Sequence, residues 1–100
     1  MSASDLLNVH PLLADRVRLM IMANLALLKE PIDFNTLLNE LKLTKGNLST
    51  HLRKLEEANL IGISKEFVGR KPRTTYVCTQ QGKDELQTYL KTVESILKNK

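Results

Sequence analysis

The chain has one cysteine, Cys78, and so cannot form an internal disulfide. It also lacks a long apolar run. The most hydrophobic stretch, around Leu19 to Leu28, is broken by Asn24 and preceded by Arg16 and Arg18, which argues against a membrane-spanning helix. The opening Met1-Ser2-Ala3-Ser4-Asp5 has no basic segment leading into an apolar one. No export signal is read there, and the reducing cytoplasm is the expected compartment, with Cys78 as buried filler. A Gly-rich phosphate loop, a paired-carboxylate motif and a nucleophile beside a base are all missing, so the chain is not expected to be an enzyme. Cys78, His10 and His51 stand far apart, and neither a metal site nor a cofactor is expected.

What is present is enough for one soluble domain over residues 1–100: 42% of the side chains are hydrophobic and 26% charged. The net charge is +4, unevenly placed. Between Lys65 and Thr75 the cations Lys65, Arg70, Lys71 and Arg73 face only Glu66, which concentrates three of the four net charges in one short segment. Such a cluster suits a phosphate-contacting element; a solvated turn would account for it as well.

Pro11 suits the first turn of a helix, and the pattern predicts one from about Pro11 to Lys29. Its stripe of Leu13, Val17, Met20, Ile21, Leu25 and Leu28 is widened by Leu12, Leu19, Met22, Ala23 and Leu27. A helix this apolar needs cover on two sides, from a second subunit or from the chain's own C-terminal helix. Glu30-Pro31 ends it. Ile32-Asp33-Phe34 is then extended and leads into a helix from about Asn35 to Leu41, capped by Asp33 or Asn35. After the tight connection Lys42-Leu43, Thr44 caps a helix from Lys45 to about Ala58, its hydroxyl accepting from the amide of Gly46 or Asn47. Two short helices joined by such a turn, over about 35–58, form a helix-turn-helix.

Leu48, Leu52 and Leu55 make the buried seam of that last helix. Gly46, Thr50, Arg53 and Glu57 point away from that seam, with Asn47, His51 and Lys54 on one flank and Ser49 on the other. Together with Lys45, the short polar and basic members can meet base edges and phosphates, while Glu56 and Glu57 sit at the far end, where repulsion from DNA is least harmful if only the N-terminal half inserts. An ordinary solvated helix face has the same composition. The following segment is extended: Ile61, Ile63 and Lys65 begin one strand, and Thr75 to Thr79 form another. Between them, Gly69 permits a turn, Pro72 stiffens it, and Arg70, Lys71 and Arg73 are expected to project from the tip. A helix-turn-helix followed at once by a basic hairpin, about 61–79, predicts an α+β, mainly α, winged helix: a three-helix core with a two-stranded β wing. The function expected is sequence-specific binding of double-stranded DNA, with the third helix in the major groove and the wing on phosphates or minor groove. The alternative is a winged-helix protein–protein or RNA-binding module.

Thr79 caps a final helix, about 80–97, where Leu86, Leu90, Val93 and Leu97 recur at heptad spacing. This seam packs either on the first helix or on a partner chain.

The run from Leu41 to Glu56, the segment Phe67-Val68-Gly69-Arg70-Lys71-Pro72-Arg73-Thr74 and the following Cys78-Thr79-Gln80-Gln81-Gly82 resemble the compact winged-helix transcriptional regulators related to the MarR and ArsR families. The resemblance spans nearly the whole chain. It implies a homodimeric repressor or activator joined through its terminal helices, with Leu12, Leu19, Leu86, Leu90, Val93 and Leu97 as the expected dimerisation residues. Residues 1–100 leave little room for the effector pocket of the longer MarR-like proteins, and the sequence names neither an effector nor an operator.

Overall fold

The computed structural model describes residues 3–28 and 30–98. Residues Ala3–Asn8 and Pro11–Ala14 form two short 3-10 turns, followed by α1 (Arg16–Leu27), β1 (Ile32–Asp33), α2 (Phe34–Leu41), α3 (Lys45–Glu57), β2 (Ile61–Val68), β3 (Lys71–Cys78) and α4 (Gln80–Lys98).

The single helix expected from Pro11 is divided at Asp15. His10 Nδ1 accepts from the Leu12 amide at 3.2 Å, capping the short turn. Asp15 itself is extended, and its Oδ1 accepts from the amides of Val17 at 2.8 Å and Arg18 at 3.0 Å. A carboxylate satisfying two orphan amides outweighs continuation through the same residue. The hydrogen bond from Arg18 is the main reason that the Asp15 carboxyl is held below its usual range, while the slight burial there works the other way. The expected C-terminal residue of this helix, Lys29, lies outside the described residues.

The apolar girth of α1 is explained within the chain. This helix touches α2, α3, α4 and β3, so it is the central post of the domain. Ile21, Met22 and Leu25 are fully covered, and Leu12 and Leu19 pack half-buried on the same core. Leu86 of α4 joins them at 8% exposure. Of the leucines expected at a subunit interface, Leu86 lies in the chain's own core, with Leu12 and Leu19 half-buried against it. Leu90 and Leu97, further along the same heptad seam, remain 55% and 66% exposed, with Val93 half-buried.

The sheet has three strands, in the order β1-β3-β2, all antiparallel. The expected two-stranded wing gains the short β1, in which Ile32 pairs with Tyr76 and Asp33 with Thr75. Ile32, Ile61 and Tyr76 turn one face of this sheet onto Leu37, Leu48, Leu55 and Leu60, where the core sits.

The passage from α3 into β2 takes three residues. Asn59 adopts a left-handed conformation (φ 61°), its amide donating to the Glu56 carbonyl at 2.9 Å, while the Leu60 amide donates to Leu55 at 3.0 Å. This paired closure, with Leu60 packed among the core leucines, ends the helix where the hairpin must begin. The start of α4 is locked onto the same corner. The Thr79 amide donates to the Leu60 carbonyl at 3.2 Å, and its hydroxyl donates to Asn59 O at 2.7 Å while accepting from Gly82 N at 2.9 Å.

Candidate nucleic-acid interface

Asp33 fixes the start of α2, accepting from the Thr36 amide at 2.7 Å, and this settles the choice between Asp33 and Asn35 as its cap. Hydrogen bonding from Thr36, aided by the Arg73 guanidinium and opposed by slight burial, holds the Asp33 carboxyl below its usual range. The helix ends at Lys42, which is left-handed (φ 53°). Leu43 is half-buried, and Thr44 caps α3 by accepting from Asn47 N at 3.2 Å. This turn fixes the direction of α3.

On α3 the seam Leu48, Leu52 and Leu55 is buried as the spacing required. Lys45, Gly46, Asn47, Ser49, Thr50, Arg53 and Lys54 are all exposed. The Thr50 hydroxyl donates back to the Gly46 carbonyl at 2.9 Å, so towards a ligand it can still accept. Arg53 stands 4.0 Å from Glu57, an exposed pair of little energetic weight. His51 differs from the rest of the set. It is half-buried, and its Nδ1 lies 3.3 Å from Arg18 Nη1 on α1. A guanidinium can only donate, so in this contact Nδ1 is the acceptor. Arg18 also donates from Nε to the Leu12 carbonyl at 2.8 Å and lies 3.9 Å from Asp15. His51 is therefore first a strut between α1 and α3.

The wing closes tightly. Val68 pairs with Lys71, leaving Gly69-Arg70 as a two-residue turn. Gly69 takes φ +65°, while Arg70 does not enter the positive region. That is the pattern of a type II′ hairpin turn, which needs glycine at its first position. The cations do not all project from this tip. Arg70 lies in the turn and Lys71 beside it, but Arg73 pairs with Glu66 across the hairpin, 3.9 Å away, and is 3.7 Å from Asp33. The register explains the difference: Arg73, Glu66 and Asp33 share one face of the sheet.

The other face looks towards α3. Strand alternation places Ile61, Ile63, Lys65 and Phe67 there, opposite Cys78, Tyr76, Thr74 and Pro72. Beside α3 lies an open cleft of about 600 Å³, lined by Ser49 and Glu56 of α3, Phe34 and Asn35 of α2, and Ile63, Lys65, Pro72, Thr74 and Tyr76 of the sheet, and reached also by the Asp33 and Arg73 pair. Burial, with the Glu56 carboxylate adding to it, pushes the Tyr76 phenol above its ordinary value. Lys65, counted in the basic cluster, and Phe67 share this side because period-two alternation puts them with the inward Ile61 and Ile63.

No cluster of three His, Cys, Asp or Glu side chains suited to a metal ion occurs among the described residues. No described helix is long and apolar enough to cross a membrane. Cys78 is half-buried, and that burial pushes its thiol up, as suits a packing residue.

The arrangement has counterparts among solved structures. A transcriptional regulator homologue from Pyrococcus horikoshii OT3 is similar with TM-score 0.79 and 31% identity, over 88% of this chain and 86% of that one. A MarR-like transcriptional regulator from Thermotoga maritima gives TM-score 0.63 at 26% identity, over 85% of this chain and 59% of that one. It bears out the resemblance to MarR-type winged-helix regulators. Bacillus subtilis PadR in complex with operator DNA shares the fold, with TM-score 0.67 at 19% identity, over 76% of this chain and 48% of that one. A family model, winged helix DNA-binding domain, matches residues 17–97. With its capped helix-turn-helix, its basic hairpin wing in a three-stranded sheet and a match across four-fifths of its length, the chain belongs to the winged helix DNA-binding domain family.

Proposed function

We propose that the chain acts as one domain, a cytoplasmic homodimeric transcriptional regulator that binds double-stranded DNA sequence-specifically, with α3 in the major groove. The observation that carries this reading is the exposed face of α3, where Lys45, Asn47, Ser49, Thr50, Arg53 and Lys54 stand free of the core beside a basic wing. Gly46 supports it. A methyl group there would meet no atom of the protein, so glycine in a helix, which costs about 0.5–1 kcal/mol, has no internal use and leaves room for a groove wall. In this reading Asn47 and Thr50 face base edges, Arg53 and Lys54 the flanking backbone, and Arg70 and Lys71 phosphates beside the wing; Arg73 mainly holds the wing to the cap of α2. The chemistry is recognition, with no catalytic step and no cofactor. A protein-binding winged helix would present apolar or acidic residues where Asn47, Thr50, Arg53 and Lys54 stand.

The test is a salt series on duplex DNA of random sequence. Affinity should fall steeply as salt rises, because each phosphate neutralised releases condensed counterions. Arg70→Ala should weaken binding to all sequences and lower the logarithmic slope by about one phosphate contact. Asn47→Ala should change which fragments are selected from a genomic pool, at about 1–3 kcal/mol for a good base contact. Binding that is absent at low salt, or indifferent to salt, overturns the DNA reading.

The dimer reading rests on α4, where Leu90 and Leu97 stay exposed on a helix whose inner residues are already satisfied. Two copies would place two half-sites about 10 base pairs apart, centre to centre. Leu90→Glu should reduce the sedimentation mass from dimer to monomer while leaving the fold intact. An unchanged mass would remove α4 from the interface.

A further inference from the structure

We propose that Phe67, backed by Pro72, is an apolar wedge that the wing lays into the minor groove of bound DNA, so that part of the sequence preference is read as the deformability of a base step. This rests on the DNA-binding reading and adds to it a residue that works without charge. Phe67 is 74% exposed, on a strand whose earlier inward residues are buried (Ile61) and half-buried (Ile63). The hairpin does not require it there: the turn is made by Gly69, and Phe67 is not part of the hydrophobic core. Its cross-strand partner is Pro72, itself exposed, so the two form a small apolar ridge on the face that looks towards α3.

The surroundings of this ridge choose its occupant. Lys65 lies two residues back on the same face, and Arg70 and Lys71 follow within four residues along the chain. An aromatic ring framed by cations matches a narrow apolar slot walled by phosphates. The minor groove is such a slot, about 6 Å wide, and side chains such as Phe and Pro enter it by partly unstacking a base step. The reach is right as well. Phe67 lies four strand residues, about 13 Å, beyond Ile63, where the wing leaves the core. Half a DNA turn, about 17 Å, separates the middle of a major groove from that of the next minor groove. With α3 in one groove, the ridge on the α3-facing side of the wing falls at the edge of the other. Pyrimidine–purine steps unstack most easily, so the wedge favours them without any hydrogen bond to a base.

The experiment uses the full chain and a duplex pool of random sequence. Phe67→Ala should weaken binding about tenfold or more, the burial of one phenyl ring, while leaving the salt slope unchanged, because no phosphate contact is lost. Arg70→Ala should do the reverse and lower the slope. The chain has no tryptophan, so Phe67→Trp places a single tryptophan at the ridge, read by excitation at wavelengths its two tyrosines do not absorb. Its emission should change when duplex is added, and selection from the pool should enrich TA and CA steps for the wild type and not for Phe67→Ala. Wild-type affinity in Phe67→Ala, or unaltered emission of Phe67→Trp on duplex that binds, overturns the wedge and leaves the DNA reading standing. A lower sedimentation mass of free Phe67→Ala would assign the ridge to a contact between copies and likewise overturn it. Failure of the wild type to bind any duplex at low salt removes both readings together.

Discussion

Gly82→Ala is expected to destabilise the protein by about 3 kcal/mol or more, although the same change in an open helix stabilises by up to about 1 kcal/mol. The reversal comes from one close approach. A Cβ at position 82 would lie 2.1 Å from the Leu60 carbonyl oxygen, 2.9 Å from Met22 Cε and 3.0 Å from Cys78 Sγ. The methionine can move; the carbonyl cannot, because it belongs to the corner that closes α3 and already accepts from the Thr79 amide. Relief therefore requires α4 to lift from its seat, which breaks the Thr79 cap and uncovers Leu86. For a domain of this size the loss would lower the thermal midpoint by roughly 12 °C or more. Gly46→Ala serves as the control: its Cβ meets nothing, so the midpoint should hold or rise. A midpoint for Gly82→Ala within a degree of the wild type would show that the corner yields.

Arg18→Ala should cost about 2–3 kcal/mol and weaken DNA binding as well, although Arg18 lies on α1. Its side chain is only 13% exposed, and it serves the Leu12 carbonyl and the His51 ring at once. Truncation leaves both acceptors in a partly dry pocket, and losing a charged donor from such groups has about that cost. The second effect follows from His51. With the strut gone, α3 is held to α1 by its leucine seam alone, and the placement of Asn47 and Thr50 loosens. Arg18→Lys should recover only part of both losses, since an ammonium lacks the planar fork that spans two partners. Urea titration and affinity for random duplex measure the two effects separately. A stability change under about 0.5 kcal/mol would mean that the strut carries no load.

The parts of this fold legible in the sequence are those decided locally. Thr44, Asp33 and Thr79 cap helices because a short oxygen-bearing side chain beside an apolar repeat has little else to do. Leu48, Leu52 and Leu55 repeat at helical spacing and are buried. One local feature escaped: Asp15 caps a new helix inside a pattern that stays apolar on both sides, so periodicity runs across the break. The rest was decided by partners distant in sequence. Ile32-Asp33 is too short to alternate, and its pairing with β3 depends on where the hairpin returns. Heptad spacing marks Leu86 and Leu90 alike as apolar-facing; only the packed structure shows that α1 claims Leu86 and leaves Leu90 exposed. Counting charges made Arg73 equal to Arg70. Register separated them, by placing Glu66 and Asp33 beside one and open solvent beside the other.

The corner at Asn59 governs how the two DNA-facing elements would act together. With only Ala58, Asn59 and Leu60 between α3 and β2, and with the backbone there tied by paired hydrogen bonds, helix and wing share no flexible linker. They form a rigid bidentate ligand. Once α3 is seated, the wing meets its groove as an intramolecular event at high effective concentration, with little further entropy to lose. Each wing contact then acts chiefly by slowing dissociation, and spacing errors between the two groove contacts are poorly tolerated, so groove width itself becomes a determinant of where the protein resides.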